Sequence, residues 1–320
     1  MRISVIVCCY NGAKYVEEQL SSIVNQTRMP DEIVINDDGS SDNTREILSK
    51  WKETTKVPVV LNFNTERLGY VKNFENALLR TTGDIIVFSD QDDFWYSNKL
   101  EIIEHEYKND SSLDLIFTDA DIVNSNLESK GYSLFESVGL NKRKISNINC
   151  GNAYQEFLKR NVVTGATMSI RKRVIELVTP FSAEWVHDAW ISLIVSMVSK
   201  VKVLDQNLIK YRQHDFNQIG TTNNLSEKVK KALSTGDLSE KGAKQMVDLI
   251  EFINKKPGLN LSPFFQSKLE QKYLHFLKRT RLPKSLVKRI VPVFIELITL
   301  KYTFYSNGYK SALKDIIIIK

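Results

Sequence analysis

The chain has 320 residues, 42% of them hydrophobic and 26% charged, a balance that excludes a disordered or collagen-like protein. Its length suits one large α/β domain with a smaller addition. Three cysteines (Cys8, Cys9, Cys150) offer neither a disulfide framework nor metal-ligand spacing, and reduced cytosolic thiols are expected.

Met1 to Val7 runs straight into a strand-like segment without a charged leader, so no secretion and a cytoplasmic location are expected. Ile3–Cys8 reads as a buried strand ended by the turn Asn11-Gly12. Val16, Leu20, Ile23 and Val24 share one face of a helix over 14–26. Residues 33–36 form the next strand, with Ser40, Ser41 and Asp42 as N-caps for a helix through Leu48. A strand over 57–61, a helix over 71–79, a strand over 84–89, a helix over 99–107 and a strand over 113–118 follow. This alternation predicts a mostly parallel sheet with helices on both faces.

Ligands of such sheets bind beyond the carboxyl ends of the strands. Cys9-Tyr10-Asn11, Asp37-Asp38-Gly39-Ser40 and Asp90-Gln91-Asp92-Asp93 each follow a strand, so they converge on one crevice. Carboxylates crowded at a sheet edge repel one another unless a cation offsets them, and oxygen ligands suit Mg²⁺ or Mn²⁺ shared with a nucleotide diphosphate. Taken singly, the second cluster also reads as a turn and helix cap, and the third as a solvated loop. Asp119-Ala120-Asp121 is a rival Asp-x-Asp triplet.

The series Val5 to Gly12, Asp37 to Thr44, Asn64 through Arg67-Leu68-Gly69, and Ser89 to Trp95 resembles the family 2 inverting glycosyltransferases of GT-A fold, over about residues 1–220. The resemblance implies a donor site in which Cys8, Tyr10, Asn11 and Asp38 meet a pyrimidine nucleotide and Arg67 lies near it. It also implies Asp90 at the ribose and Asp92 on the metal. Asp188, in Trp185-Val186-His187-Asp188-Ala189-Trp190, matches the catalytic base; the residue before it, commonly acidic in the family, is His187 here. An inverting transfer needs one such carboxylate opposite the leaving group. Asp188 also reads as an N-cap of a helix over 189–199.

Asp93, Trp95, Gly165, His187 and Trp190 are expected on the acceptor side, although Gly165-Ala166-Thr167-Met168 also reads as core packing. Tyr211-Arg212-Gln213-His214, with Asn217 and Gly220, resembles the family's closing segment, with Arg212 on phosphate and His214 on the metal. The combined motifs look most like bacterial rhamnosyltransferases of surface polysaccharide synthesis. They imply a dTDP-rhamnose donor, or a UDP-sugar, and a glycan or lipid-linked glycan acceptor.

Charge divides the chain: residues 225–320 hold 19 Lys and Arg against 8 Asp and Glu, and residues 1–224 hold 25 against 30. The expected division is a catalytic domain over 1–224 and a basic helical region over 225–320, with helices over 225–244 and 264–277. Lys255-Lys256-Pro257-Gly258 connects them, and Pro283 and Pro292 are interruptions. Its charge and apolar runs, among them Ile290 to Ile295 and 316–319, favour peripheral contact with an anionic membrane, and no apolar run reaches the roughly 18 residues of a spanning helix. A helical bundle with a merely solvated basic face is the alternative. A nucleotidyltransferase is disfavoured because no Gly-rich basic loop follows the first strand. A glycan- or nucleic-acid-binding module leaves the acidic cluster and Asp188 without a role; no nucleic-acid partner is expected.

Overall fold

The structure, a computed structural model, describes residues 1–214 and 238–317. The first part of the chain alternates strictly: β1 (Ile3–Cys9), α1 (Val16–Val24), β2 (Glu32–Asp37), α2 (Thr44–Thr54), β3 (Val59–Phe63), α3 (Tyr70–Leu78) and β4 (Ile85–Asp90). All seven residues of β1 are buried. Its side chains go alternately to the two faces: Ile6 and Cys8 join one core cluster, and Ile3, Val5, Val7 and Cys9 join the other. A strand covered on both sides reads as a continuous apolar run, which is why this half was legible.

β5 (Phe94–Trp95), α4 (Lys99–Asn109), β6 (Leu113–Val123), β7 (Ser129–Ser133), α5 (Leu134–Val138), α6 (Lys142–Asn147) and α7 (Ala153–Lys159) come next. They lead to β8 (Met168–Arg171), α8 (Val174–Val178), α9 (His187–Val198) and β9 (Lys200–Arg212). The sheet order is β3-β2-β1-β4-β8-β6-β9-β5, with β7 paired to β6. The expected parallel run spans β3-β2-β1-β4, and β6 and β9 are also parallel. β8 lies antiparallel between β4 and β6, which makes the whole sheet mixed. The rival triplet sits within β6. There Asp119 accepts from the Phe135 and Ala120 amides, and Asp121 from Tyr96 and Asn207, so both carboxylates are spent on the fold.

Two sequence expectations need correction. Ser40 and Ser41 do not cap α2, whose N-cap is Asn43, without a side-chain bond; Asp42 does serve the helix start, Oδ1 accepting from the Thr44 amide (3.0 Å). All three also hold the β1–α1 turn: Ser40 Oγ accepts from the Asn11 amide (2.8 Å), Asp42 Oδ2 from Ala13 (3.1 Å), and Asn11 Oδ1 from Ser41 (2.8 Å). Pro292 does not interrupt a helix but lies inside one, removing a single intrahelical hydrogen bond.

The C-terminal helices among the described residues are α10 (Leu238–Lys255), α11 (Pro263–Thr280), α12 (Leu286–Ile298), α13 (Lys301–Tyr305) and α14 (Tyr309–Ile317). The expected boundary at 224/225, Asn217, Gly220 and the start of the helix expected over 225–244 lie outside the described residues. Met246, Leu249 and Ile253 of α10 and Leu269 of α11 join the sheet's own core, whereas Val293, Tyr302 and Ala312 form a small separate one.

Candidate active site

The carboxyl ends of β1, β2 and β4 open into a cleft of about 860 Å³. Cys8, Tyr10, Asn11, Asp38, Arg67, Asp90, Asp92, Gly165, His187, Asp188 and His214 all line it, so residues up to 206 positions apart in sequence share one cavity. At one end of the cleft the Arg67 guanidinium lies 4.0 Å from the Tyr10 ring centroid, a cation–π pair that forms one wall. Asp38 is buried and accepts from the Leu68 and Gly69 amides (2.8 and 2.9 Å) and from Asn64 Nδ2 (3.0 Å). Its carboxylate therefore fixes the loop that carries Arg67.

Gln91 was not singled out in the sequence, yet its amide pairs in both directions with the backbone of Tyr10, accepting from N–H at 2.9 Å and donating to C=O at 3.0 Å. Gly12 makes room for it, since a Cβ there would stand 2.0 Å from Gln91 Oε1. Asn36, Asn64 and Asn73 add a buried amide network beneath, with bonds of 2.9 to 3.0 Å.

Asp92 and His214 meet at 2.8 Å, Oδ2 to Nε2, and the imidazole stacks on Tyr15 with centroids 4.9 Å apart. Asp90 is raised to about 7 by burial and then by the charges of Asp92 and Asp188. Asp93 is driven up by burial and then by the charges of Asp92 and Asp90. Such a stack of reluctant carboxylates favours a cation. No group of three His, Cys, Asp or Glu side chains converges among the described residues, so there is no closed all-protein cage. One carboxylate and one imidazole fit an ion that completes its sphere with water and phosphate oxygens.

Asp188 sits in the first turn of α9 and faces the same cavity. Oδ1 accepts from Asn161 Nδ2 (2.8 Å) and the Ala189 amide (2.6 Å), and Oδ2 from the Gly165 amide (3.1 Å). Burial raises its pKa to about 6 against these three donors. The helix cap at this end is Val186, so the capping reading of Asp188 is not what is found. Asn161 carried no sequence signal. His187 is buried against Phe74 (centroids 4.1 Å apart) and Phe88 (5.9 Å), with no partner for either ring nitrogen, and burial lowers it to about 3. It is a neutral imidazole at the cleft wall.

Four expected site residues stand behind the cleft rather than in it. Asp93 is buried and accepts from the Arg212 amide (3.0 Å). Arg212 is buried too: Nε donates to the Asp92 carbonyl (2.7 Å), other nitrogens reach Ser125 and Glu18, and the guanidinium covers Tyr15. It braces the Asp92 loop from behind. Trp95 lies under Lys99, whose ammonium is 3.6 Å from its ring centroid. Trp190 donates to the Val178 carbonyl and packs on Trp185 and Phe252. Sequence position alone does not separate these from their neighbours in the cleft, because adjacent residues of a strand or helix point in different directions.

A second groove of about 380 Å³ shares Tyr70, Asn161 and Val186 with the main cleft. Its outer wall comes from the C-terminal helices, through Lys241, Gln245 and Lys272.

Residues 4–175 match the model of glycosyl transferase family 2. A glycosyltransferase of Nostoc sp. is 29% identical over 223 residues, 68% of this chain and 66% of that one. The UDP-Glc:alpha-D-GlcNAc-diphosphoundecaprenol beta-1,3-glucosyltransferase WfgD of Escherichia coli is 25% identical over 78% of this chain and 92% of its own. The dTDP-rhamnosyl transferase RfbG of Shigella flexneri is 34% identical over 37% of this chain and 39% of its own. The chain spans about half to two thirds of the length of several such curated relatives. Among solved structures, Staphylococcus aureus TarS with UDP-GlcNAc superposes with a TM-score of 0.58 at 20% identity, over 86% of this chain and 72% of TarS. A Pyrobaculum calidifontis mannosyltransferase, in complex with GDP-Man and Mn²⁺, gives 0.53 at 18% identity over 98% of this chain and 80% of its own. The fold is therefore of GT-A type, and the chain belongs to glycosyl transferase family 2.

Proposed function

We propose that the protein is an inverting glycosyltransferase that moves a sugar from a pyrimidine nucleotide diphosphate, dTDP-rhamnose in the first instance, to a surface polysaccharide or lipid-linked glycan. The observation that carries this reading is that one cleft holds both a cation-ready pair (Asp92, His214) and, at the start of α9, a buried carboxylate held by three donors (Asp188). The donor base stacks at Tyr10, with Asp38 and Arg67 beside it and Cys8 and Asn11 at its edge. Asp90 meets the ribose. Asp92 and His214 hold Mg²⁺ or Mn²⁺, which when bound offsets charge on the departing diphosphate.

Asp188 takes the proton of the attacking acceptor hydroxyl. Its pKa of about 6 leaves it ionised at neutral pH while keeping it basic enough to accept. Asn161 and the Gly165 amide hold its orientation, so that the carboxylate meets the acceptor without rearranging. The acceptor reaches it along the groove walled by Lys241 and Lys272.

A UDP-sugar donor is the second reading, favoured by the longer alignment with WfgD. The two are separated by measuring nucleotide release from dTDP-rhamnose, UDP-glucose and UDP-N-acetylglucosamine. Release from dTDP-rhamnose alone supports the first reading; release from a UDP-sugar alone moves the assignment to the second. Release from none, with the protein folded, counts against both.

A further inference from the structure

Helix α12 is built inside out. Its inward side carries Arg289 and Glu296, 1% and 6% exposed, beside Val293. Its outward side carries Val287, Ile290, Val291, Phe294, Ile295 and Ile298, exposed by 49% to 76%. A surface helix in water has the opposite polarity.

The charges drawn inward are well partnered. Glu296 accepts from Lys278 Nζ at 2.7 Å and lies 2.8 Å from His275 Nδ1. Arg279 forms a two-pronged pair with Asp315 (2.6 and 3.1 Å), which also accepts from Tyr302. Arg289 donates to the carbonyls of Pro283 and Asp315. These buried bonds, drawn from α11, α12 and α14, fix which face of α12 looks outward.

Glu296 and Asp315 are the sole acidic residues of 281–317, and both are buried in ion pairs. Every charge that this stretch presents at the surface is therefore positive, from Arg281, Lys284, Lys288 and Lys310 among others. An apolar face whose own stretch of chain exposes only cations complements an anionic lipid leaflet. It suits a second copy of the chain poorly, since that would set the same cations against one another. At 13 residues α12 extends about 20 Å, short of the roughly 30 Å of a hydrocarbon core, and no described helix is long and apolar enough to cross a membrane.

We infer that α12 lies in the plane of an anionic membrane, with Val287, Val291, Phe294 and Ile298 inserted among the acyl chains and Lys284 and Lys288 at the headgroups. This deepens the proposed use of a lipid-linked acceptor. The same C-terminal region, through Lys241, Gln245 and Lys272 of α10 and α11, walls the groove that shares Asn161 with the main cleft.

The test is flotation of the full chain with vesicles of phosphatidylcholine alone or mixed with phosphatidylglycerol. Nucleotide binding is measured in parallel, so that failure here is distinct from failure of the transferase reading. Wild type should float with the anionic vesicles only. Val291→Glu/Phe294→Glu should abolish flotation without changing the circular dichroism melt, because both positions are exposed. Lys284→Gln/Lys288→Gln should weaken partitioning by about five-fold for each cation removed. The inference is overturned if wild type stays unbound, or if binding ignores both pairs of substitutions. It is equally overturned if Phe294→Glu dissolves a protein dimer in sedimentation while vesicles are never bound.

Discussion

Asp188→Asn separates chemistry from architecture. The wild-type carboxyl, with a pKa of about 6, is about a tenth ionised at pH 5 and about nine tenths ionised at pH 7. Turnover limited by this base should rise through that window and level off above it. The ordinary value for an aspartate is 3.8, so the folded state holds the proton more tightly than the unfolded one. Stability is therefore lost, not gained, as pH rises from about 4 to about 6, by about 3 kcal/mol for a shift of this size. Asparagine removes that loss. It gives up the acceptor that faces the Gly165 amide, a cost of about 1 kcal/mol. At pH 7.5 the variant should thus melt no lower than wild type, bind donor nucleotide as wild type does, and lose about 10²- to 10⁴-fold in turnover. Initial rates from pH 5 to 8, with melting curves on the same samples, read both sides. Turnover within ten-fold of wild type, or a wild-type profile flat from pH 5 to 7, would refute Asp188 as the base.

Two other substitutions probe the walls of the cleft. Gly12→Ala puts a methyl group 2.0 Å from Gln91 Oε1 and must break its pairing with Tyr10; nucleotide affinity should fall about ten-fold, read by calorimetry, with the fold retained. His187→Phe replaces a buried imidazole that has no hydrogen-bond partner, so the protein should be stabilised by about 1 kcal/mol in urea unfolding. If the imidazole faces the acceptor, acceptor KM should rise while nucleotide affinity holds; an unchanged KM would leave His187 a packing residue.

The parts of the fold legible in the sequence are those where burial repeats locally. β1, β2 and β4 are apolar on both faces and show as runs, and α1 shows as a stripe. β8 has four residues and β5 two, too few for a period, and nothing in either marks the direction of pairing. In the site, Asp38, Asp90, Asp92 and Asp188 are charged groups at strand ends or a helix start, where a carboxylate invites a question. Gln91, Asn161 and Asn73 are neutral amides whose worth depends on a partner 81, 27 or 37 positions away. Arg212 misled because an arginine beside an expected phosphate site suggests a ligand, whereas burial against Glu18 and the Asp92 carbonyl turns it into a brace. The inverted face of α12 lies between the two cases. Its apolar residues are visible in the sequence, but only the ion pairs of Glu296 and Asp315 reveal that they face outward.

The central claim is that Asp92 and the cation it holds join a nucleotide diphosphate to this cleft. Calorimetric titration of wild type and Asp92→Ala with dTDP and with UDP, each in Mn²⁺ and in chelator, tests it most directly. The account predicts binding by wild type that requires Mn²⁺ and is lost in the folded variant. Binding by wild type that is equally strong in chelator, or that survives in Asp92→Ala, would contradict it.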